Sequence, residues 1–416
     1  MEVFAKRMSQ EPFISVVIPT RNRGHLVPAA IQSVLWQDFD DYELIVSDNC
    51  SADGTAEAVR EAAGERARYV RPDRVLSMPD HWEFALEHAR GRFVAYLCDD
   101  DVWVPGALAR VAAALESSRA DLAVVYSGIY NAPNWLEAGQ QNMLYLLPYT
   151  GEVLEHASDE TIRRLYSECR VVNEAPRMLN SFFRRETLRR VRAEAGRLFL
   201  LCPDYSFAAM ALTATPSWLY LDEPLHLQGV FPEGIGSTQT FNRGEPSLEF
   251  AREFKEERLL KHVPLKSLLV SNMITETLLL SKERLPALAG YEVDWANYFL
   301  SCRDDIETLG GNGVDTAADR EEFERALAGQ PAAVRERVAQ GRVEPAPPQR
   351  GAARAAARRL ISSSALLTRL EAAVRRPAPK RTPPRWLFGG EVGFGDILGC
   401  ARLLPGLAGR ESGAHR

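Results

Sequence analysis

The sequence has few cysteines and little sign of a segment that crosses a membrane. Its 416 residues include six cysteines, which are scattered without the spacing of a metal site or a disulfide framework. The first residues lack the apolar core of a signal peptide, so we expect a cytoplasmic protein. The apolar, glycine-rich stretch 386–407 is interrupted by charged residues and a proline, which argues against a membrane span there.

Two familiar phosphate-binding loops are also missing. No Gly-x-Gly-x-x-Gly loop follows the first predicted strand, which disfavours a dinucleotide-binding Rossmann enzyme, and no Walker loop is present. The formal net charge of −6 and the lack of a recognition motif disfavour nucleic-acid binding. The length fits one large domain with helical additions, or two domains.

What the first quarter of the chain does contain is an alternation of strand and helix patterns. The run 13–19 is apolar and ends in a proline, as is typical of a parallel strand buried on both faces. Further strands are predicted at 42–47, 68–70 and 93–98, and helices at 26–37, 55–63 and 81–89. This alternation predicts an open α/β sheet with helices on its faces. We expect His81 to be a helix-cap or surface residue rather than a catalyst.

Aspartates follow two of these strands, Asp48 after 42–47 and the triplet Asp99, Asp100 and Asp101 after 93–98. Ligands of open α/β sheets bind at the carboxyl ends of the strands. Three adjacent carboxylates repel one another unless water or a cation neutralises them, and carboxylate oxygens suit Mg²⁺ or Mn²⁺. A solvated loop for the triplet and a turn or cap role for Asp48 remain open.

Three segments carry a resemblance to a known family. Val-Val-Ile-Pro-Thr-Arg-Asn-Arg at 16–23, Val-Ser-Asp-Asn-Cys-Ser-Ala-Asp-Gly-Thr at 46–55 and the segment 91–101 resemble, in order and spacing, three blocks of family-two glycosyltransferases. The resemblance covers roughly 12–229, about half of the chain. It implies a GT-A fold, a nucleotide-sugar donor (a UDP-, dTDP- or GDP-sugar) and Mn²⁺ or Mg²⁺ as the cofactor.

The resemblance also implies that six residues outside the triplet line the donor: Pro19, Thr20, Arg23, Asp48, Arg71 and Arg74. The first three would line the nucleoside. Asp48 would accept a hydrogen bond from the base, and Arg71 or Arg74 would meet the diphosphate.

Within the triplet, the resemblance places Asp99 and Asp101 at the two ends of the metal-binding motif. Asp101 is the favoured direct metal ligand, and Asp100 would instead face the ribose or the sugar, but three adjacent aspartates leave the register of the motif open. A bound divalent cation acts as a Lewis acid and stabilises the charge of the departing nucleoside diphosphate.

Asp204 follows Pro203 at the start of a predicted helix, where similar enzymes place their general base. An acceptor hydroxyl needs a base within hydrogen-bonding reach of its proton. The helix dipole is expected to lower the pKa of Asp204, and a capping role would explain the residue equally well. A single displacement at one base implies inversion at the sugar. Arg385-Trp386 lacks the glutamine of the Gln-x-x-Arg-Trp motif of processive synthases, which favours a single-addition enzyme.

The rest of the chain predicts strands at 122–127, 180–184, 218–221 and 225–229, with a surface loop or mobile lid at 231–238. We divide the chain into a GT-A catalytic domain at 1–240, a helical extension at 241–340 and a basic tail at 341–416. Residues 350–385 include ten Lys/Arg and one Glu, and an amphipathic helix there would touch an anionic membrane surface or lie solvated. The helices of the extension pack on the catalytic domain or on a second subunit, so a homo-oligomer is possible.

The sequence thus predicts an α/β, GT-A protein with a helical C-terminal extension. Its predicted activity is metal-dependent, inverting transfer of a sugar from a nucleotide-diphosphate sugar to an acceptor hydroxyl in a bacterial polysaccharide, glycolipid or natural-product glycan. The acceptor would be a saccharide, a lipid-linked intermediate or a small molecule, met in the cytoplasm or at the inner face of the membrane. A catalytically inactive nucleotide-binding scaffold is the alternative of another class. A nucleotidyltransferase is the second alternative, although the expected glycine-rich basic loop does not follow the first strand.

Overall fold

The computed structural model describes residues 11–172, 174–253, 259–341 and 382–409. Within this part of the chain, eleven strands form one sheet. They are β1 Ile14–Thr20, β2 Tyr42–Asp48, β3 Ala67–Val70, β4 Phe93–Tyr96, β5 Val102–Trp103, β6 Leu122–Asn131, β7 Met143–Leu146, β8 Val153–Ala157, β9 Ser181–Arg184, β10 Ser217–Val230 and β11 Arg385–Phe388.

The predicted α/β sheet is confirmed. The strands lie in the order β11-β7-β6-β9-β4-β1-β2-β3, and β10 pairs with β5, β6 and β8. β1 is parallel to β2 and β4, while β9 pairs antiparallel with β4 and β6. The carboxyl ends of β1, β2 and β4 therefore meet at one edge of the sheet.

Helices cover both faces of the sheet and form the C-terminal region. They are α1 Val27–Leu35, α2 Thr55–Ala63, α3 Met78–Glu87, α4 Ala107–Ser117, α5 Ser158–Glu168, α6 Arg185–Ala195, α7 Pro203–Leu212, α8 Ile235–Phe241, α9 Glu245–Glu253, α10 Val270–Arg284, α11 Trp295–Gly311, α12 Ala317–Ala328, α13 Ala332–Gln340, α14 Gly389–Val392 and α15 Ile397–Gly409. Several of these helices have a proline in their first turn. Amides of the first turn have no hydrogen-bond partner within the helix, so proline, which lacks an amide hydrogen, is tolerated there.

Two hydrophobic cores lie on opposite faces of the sheet. Val16 and Ile18 of β1 point into one core with α1 and α4, and Val17 points into the other. Side chains of a strand alternate between faces, so β1 contributes to both cores and is buried along its whole length.

The helical region from 241 to 340, which the sequence predicts, packs directly on the sheet domain. Tyr166 of α5 donates a hydrogen bond from its hydroxyl to the Leu278 carbonyl at 2.8 Å. The Cys202 amide donates to Thr277 Oγ1 at 3.0 Å. Buried residues of α10 and α11 belong to the same core as Val17, so the boundary at 240 does not separate two cores.

The end of the chain differs from the predicted tail. β11 pairs antiparallel with β7, and Cys400 and Leu404 of α15 are buried in the core that contains Val17. The unpaired edge of β7 offers backbone groups that a returning strand can bind, so 382–409 becomes part of the sheet domain. The predicted amphipathic helix and membrane contact at 350–385 fall almost entirely outside the described residues.

Two further predictions about the second half need correction. The strands expected at 218–221 and 225–229 form one strand, β10, with register shifts on both sides of Pro224. Proline lacks the amide hydrogen for a regular ladder and is accommodated at a bulge. The second half of the segment 231–238, expected to be loop or lid, belongs to α8, Ile235–Phe241. Among the described helices, none combines the length and hydropathy that crossing a bilayer requires.

Candidate active site

Arg23 connects the turn after β1 with the aspartate triplet after β4. Its Nη1 lies 2.9 Å from Asp100 Oδ2 and 3.6 Å from Asp99 Oδ1, and its Nη2 donates to the Glu233 carbonyl at 3.1 Å. Burial opposes the charge of Arg23, but the two carboxylates outweigh it and raise the pKa of the guanidinium. The sequence placed Arg23 at the nucleoside, whereas in this structure it binds the triplet.

Asp48 is buried at the carboxyl end of β2, opposite Thr20 of β1. Its Oδ1 accepts a hydrogen bond from the Ser51 amide at 2.9 Å. Its Oδ2 accepts one from the Tyr69 hydroxyl and lies 3.4 Å from Arg71 Nη1. The Ser51 hydroxyl also donates to Oδ1, so a base would have to displace one of these donors to bind Asp48.

The other predicted donor residues occupy this region with different exposure. Pro19 is buried in β1 beside Ser47 of β2. Arg71 is exposed and lies beside Asp48 rather than beside the triplet, and Arg74 is exposed on the following turn. The described side chains thus give the predicted diphosphate role of Arg71 and Arg74 no geometric support.

The triplet divides into two parts. Potential ligand atoms of Cys98, Asp100 and Asp101 lie within 4.8 Å of one another, the one such group of three among the described residues. Asp99 lies outside this group, near the Thr20 hydroxyl and 3.6 Å from Arg23, which also binds Asp100. The carboxylates that this group brings together are thus Asp100 and Asp101, whereas the sequence predicts Asp99 and Asp101 as the metal ligands.

Asp101 is held by two residues of β10 that the sequence did not mark. Its Oδ1 accepts a hydrogen bond from the Gly229 amide at 2.8 Å, and its Oδ2 lies 3.3 Å from His226 Nε2. A Cβ atom at position 229 would lie 2.0 Å from the Asp100 carbonyl oxygen, so this close approach requires glycine. His226 lies inside an ordinary strand pattern, and no local sequence signal distinguishes it.

The chemistry of this cluster fits a divalent cation. Burial raises the pKa of Asp100 to about 7, with Arg23 opposing and the charges of Asp101 and Asp99 adding to the rise. This repulsion is what a bound cation would relieve. Burial also raises the pKa of the Cys98 thiol, and Mg²⁺ and Mn²⁺ prefer oxygen ligands, so Asp100 and Asp101 are the suitable donors.

Asp204 lies in the first turn of α7, close enough to Asp101 for their charges to interact. Its Oδ1 is buried and has no hydrogen-bond partner among the described residues. Burial raises the pKa of Asp204 while Arg177 and the amides of Met178 and Leu179 oppose the rise. The sequence predicts a lowered pKa from the helix dipole, whereas burial dominates here, and a carboxylate with a raised pKa is a stronger base.

Residues 15–178 match the family model described as Glycosyl transferase family 2. This segment is a glycosyltransferase family 2 domain. The domain contains all the predicted donor and metal residues, and Asp204 lies beyond its end.

Curated relatives of the family 2 domain come from bacterial glycan assembly. The UDP-Glc:alpha-D-GlcNAc-diphosphoundecaprenol beta-1,3-glucosyltransferase WfgD of Escherichia coli is 34% identical over 95 residues, 23% of this chain and 38% of that protein. The GalNAc(5)-diNAcBac-PP-undecaprenol beta-1,3-glucosyltransferase of Campylobacter jejuni is 39% identical over 100 residues, 23% of this chain and 32% of that protein. The chain thus spans about a third of the length of these relatives.

Among solved structures, Staphylococcus aureus TarS superposes with a TM-score of 0.43 and 16% identity, over 79% of this chain and 55% of that chain.

Proposed function

We propose that this protein is a metal-dependent, inverting glycosyltransferase that moves a sugar from a nucleotide-diphosphate sugar to an acceptor hydroxyl. One observation carries the proposal. The carboxylate pair Asp100 and Asp101 lies at the strand ends of a family 2 domain, within charge-interaction range of the half-buried Asp204. A cation site beside a base suits metal-dependent glycosyl transfer, which needs a base for the acceptor hydroxyl and a Lewis acid for the departing diphosphate.

The donor would occupy the edge formed by β1, β2 and β4. Pro19, Thr20 and Asp48 would surround the nucleoside, with Tyr69 or Arg71 displaced when the base binds. The Escherichia coli relative is named for UDP-glucose, which favours a UDP-sugar here. Arg23 would leave Asp100 and face the phosphates once a cation neutralises the triplet.

Asp100 and Asp101 would hold Mn²⁺ or Mg²⁺, with the Gly229 amide and His226 fixing the orientation of Asp101. The cation would stabilise the negative charge that develops on the departing nucleoside diphosphate.

Asp204 would accept the proton of the acceptor hydroxyl as that oxygen attacks the sugar carbon. Its unpartnered Oδ1 provides a free acceptor for this proton, and its raised pKa strengthens it as a base. One base and one displacement give a product of inverted configuration at the sugar carbon.

The acceptor would belong to bacterial surface-glycan assembly. Both relatives reported above are named for undecaprenol-linked acceptors, so we propose a lipid-linked saccharide met at the inner face of the membrane. The basic stretch 350–385 would supply the contact with anionic lipids.

A donor screen tests this function. Purified protein is mixed with UDP-, dTDP- and GDP-sugars, with and without Mn²⁺, and followed by melting temperature and by donor hydrolysis. A ligand that binds only the native state raises the melting temperature by mass action. We expect a rise that needs Mn²⁺, is largest for one nucleotide and is lost in Asp101→Asn.

The matched control is Asp315→Asn, which changes an exposed aspartate far along the chain from the triplet. It should keep the shift. If no nucleotide sugar stabilises the protein or is hydrolysed, the proposed function is wrong. Binding without hydrolysis or transfer would favour the scaffold.

A further inference from the structure

Four side chains from four strands form one row across the sheet. Gln228 of β10 is paired with Ile129 of β6, Ile129 with Tyr145 of β7, and Tyr145 with Trp386 of β11. Directly paired residues point to the same face of a sheet. With neighbouring strands about 4.8 Å apart, the row extends about 14 Å.

The inner end of this row lies at the candidate active site. Arg177 Nη2 is 3.5 Å from Gln228 Oε1, and Arg177 is the residue whose charge opposes the pKa rise of Asp204. His226, two positions before Gln228 on the same strand, contacts Asp101. The row therefore starts at a residue that contacts Arg177 and that lies on the same strand as the residue beside Asp101.

Two cavities follow the row and share Ile129. A cavity of about 420 Å³ is lined by Arg177 and Gln228 among others, and a cavity of about 380 Å³ is lined by Tyr145 and Trp386. Ile129 lines both cavities and lies in the middle of the row. We refer to the two cavities together as the groove, whose inner end is marked by Arg177 and Gln228 and whose outer end is the edge strand β11.

The outer cavity has the chemistry of a sugar subsite. Trp386 is 55% exposed and stacks on Tyr145 with ring centroids 5.1 Å apart. The amides of Asn131 and Gln140 line the same cavity, 3.4 Å apart. Its other lining residues are Ile129, Gly139, Met143 and Phe388, so the described lining carries no charge. A flat aromatic ring beside amide groups suits a neutral sugar, whereas a phosphate would need cationic partners.

The formal charges that line the inner cavity nearly cancel, since three arginines and four acidic residues line it. Arg164 lies 2.9 Å from Glu168 and 3.2 Å from Glu174, and Arg170 lies 3.7 Å from Glu168. This near balance of charge again favours a neutral ligand.

We propose that this row is the acceptor groove and that it binds an extended neutral saccharide, with Trp386 as the outer sugar subsite. The assignment of the reacting end to Asp204 rests on the proposed function, but saccharide binding at Trp386 does not. The C-terminal segment thereby sets the preference for acceptor length.

The test uses a glycan array of neutral and uronic-acid-containing saccharides from one to several sugars, probed with the full chain. We expect longer neutral saccharides to bind better than their monosaccharides. Trp386→Ala should remove this length preference and weaken binding of the longest ones between about twofold and tenfold, the range of aromatic stacking. Trp386→Phe should restore most of it.

Leu403→Ala is the matched control, since Leu403 is an exposed residue of the same C-terminal segment outside the cavity lining. It should bind like the wild type. Three outcomes would contradict the proposed saccharide site. They are an equal loss of saccharide binding in Leu403→Ala and Trp386→Ala, the absence of a length preference in the wild type, and binding of acidic saccharides alone. Nucleotide-sugar stabilisation is measured in parallel, because length-dependent binding without it would refute the transferase and leave the groove intact.

Discussion

The donor half and the acceptor half of the candidate site are built in different ways. The donor half comes from consecutive strands and turns within the first 101 residues, and its charged side chains contact one another. The acceptor half combines β6, β7, β10 and β11, drawn from positions 122 to 388. Both halves contain buried polar atoms without a hydrogen-bond partner among the described residues, Thr20 Oγ1 in the donor half and Asp204 Oδ1 and Arg177 Nε in the acceptor half. The halves therefore differ in how the chain assembles them: the donor half from neighbouring segments, the acceptor half from strands far apart in sequence.

Asp204→Asn should have the largest effect and should affect the acceptor half alone. Loss of a general base lowers the rate by a factor of about 10² to 10⁴, so we expect kcat for transfer to fall about a thousandfold while donor binding stays unchanged. Steady-state kinetics and the donor-induced rise in melting temperature measure the two effects.

The same residue predicts the pH dependence of transfer. Burial raises the pKa of Asp204, and only the ionised form can accept a proton, so activity should fall as the pH drops through a value above that of an ordinary aspartate. An acid limb at the ordinary value, or unchanged kcat in the variant, would contradict the role of Asp204.

Asp101→Asn should break the donor half. We expect kcat/KM to fall by roughly 10² to 10³, the range for removing one electrostatic stabiliser of the transition state, together with loss of the Mn²⁺ dependence of donor binding. Asp99→Asn is the comparison, because Asp99 lies outside the group formed by Cys98, Asp100 and Asp101. A larger loss of kcat/KM in Asp99→Asn than in Asp101→Asn would support Asp99 and Asp101, the pair predicted from the sequence, as the metal ligands.

Gly229→Ala should damage the connection between the halves. The added methyl group would clash with the Asp100 carbonyl oxygen, and overpacking of this kind costs about 1 to 3 kcal/mol. Chemical denaturation should show that loss, and activity should fall further because Asp101 is displaced. Gly236→Ala, where an added Cβ meets nothing within 4 Å, is the control expected to leave stability within about 0.5 kcal/mol.

The smallest expected effect is that of His81, in the donor half, on the pH dependence of the free energy of unfolding. It is 4% exposed, its Nε2 lies 2.9 Å from Ser47 Oγ, and burial lowers its pKa to about 4. The folded state thus disfavours the charged ring. The contribution of His81 to the free energy of unfolding is complete above the pKa of histidine in the unfolded chain, about 6.5. It is lost as the pH decreases from there toward 4.

Between pH 7 and pH 5, the loss in unfolding free energy due to His81 should be about 2 kcal/mol. His81→Gln removes the titrating group, so its pH dependence should be flatter than that of the wild type by that amount. Parallel curves for the two proteins would contradict a buried neutral histidine.

Predictions from the sequence succeed where a local pattern is sufficient. The helix predicted at 55–63 is Thr55–Ala63, and the strand predicted at 42–47 is Tyr42–Asp48. The placement of Asp48 and the triplet at strand ends is also seen, since the apolar runs end where the polar residues begin. His81, however, is buried rather than exposed, because its surroundings come from β2 and not from its own helix.

The sequence by itself determined the α/β sheet of the family 2 domain and the edge where its aspartates lie, because strand and helix periods and turn residues act over a few neighbouring positions. Tertiary structure decided the rest. It placed Asp100 rather than Asp99 beside Asp101, brought His226 and Gly229 to that carboxylate, and returned β11 to the sheet edge. These outcomes depend on strand register between segments more than 100 residues apart, and no local pattern encodes that register.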